Sequence, residues 1–336
     1  MILYLGNKLS KHGYTPTSVE TLGKQLEERF VIDTHSAFRN PVLRLFHMIG
    51  LVIKYRKADL LLIDTYSTWA FWYAVISSQL ARSFNLSYTL ILRGGYLPLR
   101  VQRSPFWSKI VLKNAKDVVC PSGYLAEYMG RFYDRQYQII PNHIDLQNYP
   151  FKERFIGSSI RILWVRSFHE IYNPQLAVDI VDGLKQNGHD VQLLMVGPDK
   201  DGSKIKTETY AVKKGLNEYI SFTGRLSKSE WITMAEDFDV FINTTNVDNT
   251  PVSVIEAMAM GMIVVSTNVG GMPYLLENSL EGLLVRPRDP STFVENIEML
   301  KANEELAIQF SNGARRKAEN WDWRVVREKW FGIIQE

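Results

Sequence analysis

Cysteine is almost missing from this chain. Cys120 is the single one in 336 residues, so an internal disulfide is impossible and a reducing compartment is the natural setting. Six histidines lie scattered without ligand spacing, which argues against a metal-built site. Long hydrophobic runs are missing too. The longest, Trp69–Ile76, falls far short of the roughly 18 apolar residues a spanning helix needs. The chain is therefore expected to be soluble or to lie on a membrane surface. Met1 is followed directly by Ile2-Leu3-Tyr4-Leu5 with no basic residue before it, which reads as a buried strand and not as a leader peptide. The loop that follows, Gly6 to Gly13, lacks G-x-G-x-x-G, and no G-x-x-x-x-G-K-[ST] occurs anywhere. A dehydrogenase and a P-loop nucleotidase are thereby disfavoured. No helix-turn-helix or RNP-type module is visible, so nucleic acid is not an expected partner.

What is present is a charge split that the net value of +3 conceals. Residues 1–156 hold 20 Lys and Arg against 11 Asp and Glu; residues 157–336 hold 19 against 25. A basic half and an acidic half suggest two domains with different partners. Short continuous apolar runs recur in both halves. They are Ile2–Leu5, Phe30–Asp33, Leu60–Asp64, Tyr88–Leu92, Asp117–Cys120 and Tyr137–Ile140, then Ile160–Val165, Val191–Val196, Tyr219–Phe222, Val240–Asn243, Ile263–Ser266 and Gly282–Val285. Such runs fit strands buried on both faces, and helical stretches between them imply parallel sheets wound by crossovers. The fold class is α/β, with two Rossmann-like doubly wound domains. A seam is expected near Asp145–Ser159, where Pro, Gly and Ser interrupt the pattern.

In doubly wound sheets ligands bind beyond the carboxyl ends of the strands. The most informative stretch there is Asn243 to Gly261. Thr250 reads as an N-cap and Pro251 as the first residue of a helix running over Val252–Met262. The amides of Val252, Ser253 and Val254 would then lack helical acceptors and, with the helix dipole, form an anion site suited to a diphosphate. Glu256 is an acid on a face that ought to be buried, so it needs donors; sugar hydroxyls are good ones. Asp248 places a second carboxylate in the loop beside it. The plainer alternatives are a core Glu256 paired with an arginine and an Asp248 serving as a turn or cap residue.

Asp248 to Glu256 resembles the E-x7-E motif of family 4 glycosyltransferases, with Asp in the first acidic position. These enzymes are retaining, use nucleotide sugars and have the GT-B fold. Further segments match in order: Val119-Cys120-Pro121-Ser122, Ile139-Ile140-Pro141-Asn142-His143-Ile144-Asp145, Leu163-Trp164-Val165-Arg166, Val196-Gly197-Pro198, Phe222-Thr223-Gly224-Arg225-Leu226, and Val265-Ser266-Thr267-Asn268-Val269-Gly270-Gly271-Met272-Pro273. The resemblance implies two domains facing across a cleft: 1–150 for the acceptor, 151–320 for the donor, and a final helix, 321–336, crossing back. It implies that Glu256 holds the donor ribose hydroxyls, Asp248 the donor sugar hydroxyls, and Arg166 the pyrophosphate, aided by the helix start at Thr250–Val254. Gly197 would stand at a nucleotide-side strand end, and Gly224, Arg225 and Leu226 would contact the base through their backbone.

Three departures from the family pattern stand out. Ile171-Tyr172-Asn173-Pro174 replaces an expected lysine, Val165 replaces a glycine, and Arg93-Gly94-Gly95 stands where many members have a histidine. Arg93 would bring charge to phosphate or to an acidic acceptor; the alternative is a surface arginine beside a turn. The loop Asn7–Thr17, with Lys8, Ser10, Lys11, His12 and Gly13, would cover the acceptor side. Pro41–Lys57 and the aromatic and basic residues from Trp69 to Lys113 suggest contact with an anionic membrane surface, against the plainer alternative of core-facing helices.

The function implied is transfer of a hexose-type sugar from a nucleoside-diphosphate sugar to a hydroxyl of a glycan or lipid-linked glycan, in polysaccharide or glycolipid synthesis. No metal or cofactor is expected. The site would be cytoplasmic, at the inner face of the membrane. A nucleotide-sugar epimerase and a catalytically weak nucleotide-sugar-binding relative are the alternatives.

Overall fold

The structure, a computed structural model, describes residues 1–13 and 16–335. Tyr14 and Thr15 of the Asn7–Thr17 loop, and Glu336, lie outside the described residues. The strands are β1 (Ile2–Leu5), β2 (Ile32–His35), β3 (Leu60–Thr65), β4 (Tyr88–Leu92), β5 (Val118–Cys120), β6 (Gln138–Ile139), β7 (Ser159–Val165), β8 (Asp190–Val196), β9 (Ile220–Gly224), β10 (Val240–Asn243), β11 (Ile263–Thr267) and β12 (Leu283–Val285). They form two six-stranded parallel sheets, ordered β2-β1-β3-β4-β5-β6 and β12-β11-β10-β7-β8-β9. The α/β, doubly wound expectation holds in both. The apolar runs locate every one of these strands, and the largest displacement is at β2. It starts at Ile32, two residues later than the apolar signal, because its register with β1 pairs Ile2 with Ile32 and Leu5 with His35. As an edge strand it is only half-buried, so its sequence need not be apolar throughout.

Continuous apolar strands serve two cores at once. Along β7, Ile160, Ile162 and Trp164 enter one cluster while Leu163 enters another; β10 divides likewise, Val240 and Ile242 against Phe241. Helices cover both faces, as buried parallel strands require.

The chain divides into two compact units, Met1–Pro141 with Arg327–Glu336, and Asn142–Val326. The helix Trp323–Gln335 thus contributes its later residues to the first unit, where the Phe331 ring meets Phe30 at 5.6 Å. The Asp145–Ser159 stretch is packed and not a free tether: Leu146, Tyr149, Arg154 and Ile156 are all buried. Arg154 is 1% exposed, and its guanidinium donates to the carbonyls of Glu236 and Phe238.

Candidate donor site

In the second unit the strand order reverses between β7 and β10, the position at which open α/β sheets bind ligands. β7 runs directly into Arg166 and β10 into the loop carrying Asp248. The two side chains meet there as an ion pair, each about one-sixth exposed. The Arg166 guanidinium also lies 4.2 Å from the centre of the Tyr172 ring. Burial draws its pKa below the ordinary arginine value. Tyr172 stands in the segment where the resemblance expects a lysine; here that segment gives Arg166 an aromatic face.

Close backbone approach fixes this corner. A Cβ on Gly197 would lie 1.7 Å from the Arg166 carbonyl oxygen. A Cβ on Gly270 or Gly271 would lie 2.0 Å from the Asp248 carbonyl or 1.9 Å from that of Asn249. Only glycine fits at these three positions. Gly271 N–H donates to the Asp248 carbonyl at 3.1 Å, and the Asp248 carboxylate accepts the Asn249 amide at 2.9 Å.

The helix after this loop covers Val252–Ala259, shorter than the Val252–Met262 expected. Pro251, not Thr250, is the N-cap: its ψ of 118° is extended, so helical geometry starts one residue later. Val254 N–H already donates to the Pro251 carbonyl at 3.1 Å. The helix head therefore offers the amides of Val252 and Ser253, and Val254 leaves the expected set. Thr250 is buried, and its carbonyl accepts from Asn142 Nδ2 at 3.1 Å. At the other end Gly261, with φ of +74°, stops the helix. The Ser253 hydroxyl is buried and has no partner among the described residues.

Glu256 is 5% exposed. Its partners are Tyr149, whose hydroxyl donates at 2.7 Å, and Lys228, whose ammonium lies 2.5 Å away. No arginine is involved. Both donors use Oε1, and Oε2 accepts nothing from any described residue. Burial, and then the Glu256 carboxylate, drive the Tyr149 pKa well above its usual value, so it stays a neutral donor. Lys228 is the first residue of the helix Lys228–Ala235 and follows the Gly224–Leu226 turn. That turn closes on its neighbour through Gly197 N–H and the Gly224 carbonyl, 2.7 Å apart. Gly224 takes φ of +72°, Arg225 is exposed, and Leu226 packs against the core. Tyr149, Lys228 and the Gly270-Gly271 support were not anticipated from sequence; the nearest signal was the need of a buried acid for donors.

In the first unit the order reverses between β1 and β3. Asp64, near the end of β3, has a fully buried carboxylate that accepts from Arg93 Nε at 3.2 Å, from Tyr4 at 3.0 Å and from Tyr66 at 3.0 Å. Arg93 is thus neither a surface residue nor an open cation; it neutralises a buried acid that sequence reading passed over. The loop residues 7–13 are tied to their surroundings. Asn7 Oδ1 accepts from Arg44 at 2.6 Å, Lys8 donates to Thr34 Oγ1 at 2.7 Å, Ser10 bonds Glu20, and His12 Nε2 lies 2.8 Å from the Ala37 carbonyl. Gly13 N–H closes on the Ser10 carbonyl at 2.9 Å, and Lys11 is exposed. No group of three or more His, Cys, Asp or Glu among the described residues is arranged to hold a metal ion.

An uncharacterized glycosyltransferase of Methanocaldococcus jannaschii is 23% identical over 332 residues, covering 91% of this chain and 89% of its own. The N,N'-diacetylbacillosaminyl-diphospho-undecaprenol alpha-1,3-N-acetylgalactosaminyltransferase of Campylobacter jejuni is 23% identical over 173 residues, 52% of this chain and 42% of its own. The Anabaena protein HepE, solved with UDP, superimposes over 99% of each chain with a TM-score of 0.77 at 14% identity, a likeness of fold alone. The model of the family described as glycosyl transferases group 1 matches residues 145–317, just over half the chain. By that match this protein belongs to the group 1 glycosyl transferases.

Proposed function

We propose that the protein is a retaining glycosyltransferase of family 4 type, moving a hexose-type sugar from a nucleoside-diphosphate sugar to a hydroxyl of a glycan or lipid-linked glycan. The observation that carries this reading is the convergence of Arg166, Asp248 and the head of the helix Val252–Ala259 where the strand order reverses. A diphosphate there exchanges the Asp248 carboxylate for its own oxygens on Arg166, and takes further bonds from the Val252 and Ser253 amides. Asp248, released, accepts hydroxyls of the donor sugar. Oε2 of Glu256 accepts from the ribose while Tyr149 and Lys228 hold Oε1. Gly197 and the Gly224–Leu226 turn border the base.

In the transfer the bond from the anomeric carbon to the diphosphate oxygen breaks. A bond to the acceptor oxygen forms, and the acceptor proton departs with the nucleoside diphosphate. Negative charge grows on the leaving group, so Arg166 and the helix head act where it develops; one such donor is worth about 3 kcal/mol. This chemistry asks for no metal or cofactor. The Campylobacter relative is named for a diphospho-undecaprenol acceptor, which supports a lipid-linked acceptor; in this reading the enzyme works at the cytoplasmic face of a membrane.

A thermal-shift screen of UDP, GDP, ADP and their sugars tests the donor site. A true donor nucleotide at about one hundred times its Kd stabilises by roughly 2.7 kcal/mol. No shift with any of them defeats the reading. Nucleotide release that needs an added glycan or lipid acceptor distinguishes transfer from epimerisation.

A further inference from the structure

The helix Pro41–Lys54 is turned in an unusual way. Its Arg44 is buried, donating to Asn7 Oδ1 and to the Phe38 and Arg39 carbonyls, while Leu43 and Phe46 point to solvent, 54% and 65% exposed. A helix that hides its arginine and shows its phenylalanine is not solvating a polar face. Further exposed rings stand on and beside the helix Phe71–Ser83, which packs against it. Tyr73 of the helix Phe71–Ser83 donates to the Pro41 carbonyl at 3.0 Å and meets Trp69 ring to ring at 5.5 Å. From the same helix Trp72 meets Trp107 at 5.9 Å, and Trp107 meets Phe106 at 5.3 Å. Trp69 and Trp107, 48% and 40% exposed, are the only tryptophans among the exposed large apolar side chains of the described residues.

Along the segment that builds this surface, charge is nearly of one sign. Residues 36–116 hold twelve Lys and Arg and only two acids. Both acids are occupied: Asp64 is buried beneath Arg93, and Asp59 binds the N-terminal amine. Arg39 beside Phe38, and Arg103 and Lys109 flanking Phe106 and Trp107, are exposed. Indole and phenyl rings interleaved with cations, with no acid between, match the interface of an anionic bilayer: rings enter the headgroup boundary and cations meet phosphates. A protein partner would favour an apolar centre with a mixed polar rim instead.

We infer that the face built by Leu43, Phe46, Trp69, Phe106 and Trp107 with Arg103 and Lys109 docks the first unit on an anionic lipid bilayer. The assignment deepens the reading of a membrane-side acceptor, yet it concerns binding alone and needs no donor.

Co-sedimentation of the whole protein with phosphatidylcholine vesicles and with equimolar phosphatidylcholine/phosphatidylglycerol vesicles tests it. Binding is expected only to the anionic vesicles, weakening as salt rises. Phe46→Ser with Trp107→Ser should lower vesicle affinity at least tenfold. Arg103→Gln should lower it about fivefold, the worth of one cation near such a surface. Phe151→Ser, an exposed ring of the other unit, should change nothing. A nucleotide thermal shift in the same samples reports on folding and on the donor site separately; it should be the same in all variants. Equal, negligible sedimentation with both vesicles overturns the inference, as does binding indifferent to the Phe46 and Trp107 changes. So does a concentration-dependent dimer that the same changes abolish, which would assign the face to a second copy of this chain.

Discussion

Glu256 shows how a single buried acid acquires meaning from its partners. Its charge is met by an exposed lysine and a buried tyrosine on one oxygen, which leaves the other oxygen to accept from a ligand. Glu256→Gln keeps an acceptor for Tyr149 and removes the charge. Because Lys228 is 59% exposed, solvent already screens that ion pair, and the loss of stability should be within about 1 kcal/mol in urea denaturation. Binding of the nucleotide sugar should weaken about tenfold, since a charged acceptor is replaced by a neutral one, as titration calorimetry would read. Unchanged affinity would make Glu256 a structural residue only. The oddity of this acid was legible in the sequence; its partners were not. Tyr149 is 107 positions away and Lys228 is 28, distances over which residue spacing carries no information about contact. Arg93 illustrates the same limit, since nothing local marks Asp64 as the acid beneath it.

Among the elements, the ends of the second unit are joined by a device of one carboxylate. Asp322 accepts from the Leu146 amide at 3.1 Å and from the Arg324 amide and Nε at 2.8 Å each, beside a parallel bridge of Ile144 with Asp322. Burial alone would raise its pKa, but the bonds from Arg324 and Leu146 outweigh burial and hold the carboxyl below the ordinary value. A depressed folded pKa stabilises the protein above the unfolded carboxylate value. That share is lost as pH falls through the folded value. Asp322→Asn should therefore cost about 1–3 kcal/mol at pH 7 and progressively less toward pH 3, measured by urea denaturation across that range. A cost independent of pH would show that shape, not charge, does the joining. The helix after β10 teaches a related lesson. Pro251 was expected as the first helical residue, but its extended ψ makes it the N-cap, and a tightened first turn, with Val254 N–H on the Pro251 carbonyl, takes up one amide. Signals in sequence locate an element better than they locate its last bonds.

For the whole molecule, the two units carry separate cores, and every donor-site contact described lies within Asn142–Val326. Nucleotide binding should accordingly slow amide hydrogen exchange by about tenfold or more at 165–172, 224–228 and 246–256, while β1, β3 and β4 of the first unit stay unchanged. Protection centred on the first unit would relocate the donor site. The charge division of the chain follows the same line: the acidic half holds the proposed diphosphate site, where one arginine and a helix head act locally against the average.

Sequence alone determined that this chain folds as alternating strands and helices in two parallel sheets. Apolar runs long enough for a strand and apolar on both faces admit few other solutions, and that pattern is local. It also determined the charge of each half and the loop in which the acids stand. The tertiary structure decided which cation meets which acid, where the helix of the donor site begins, and that Phe46 faces outward while Arg44 turns in. Those outcomes depend on strand order and on contacts between distant residues. Periodicity does not encode them, because the energy that selects them exists only once the sheets are assembled.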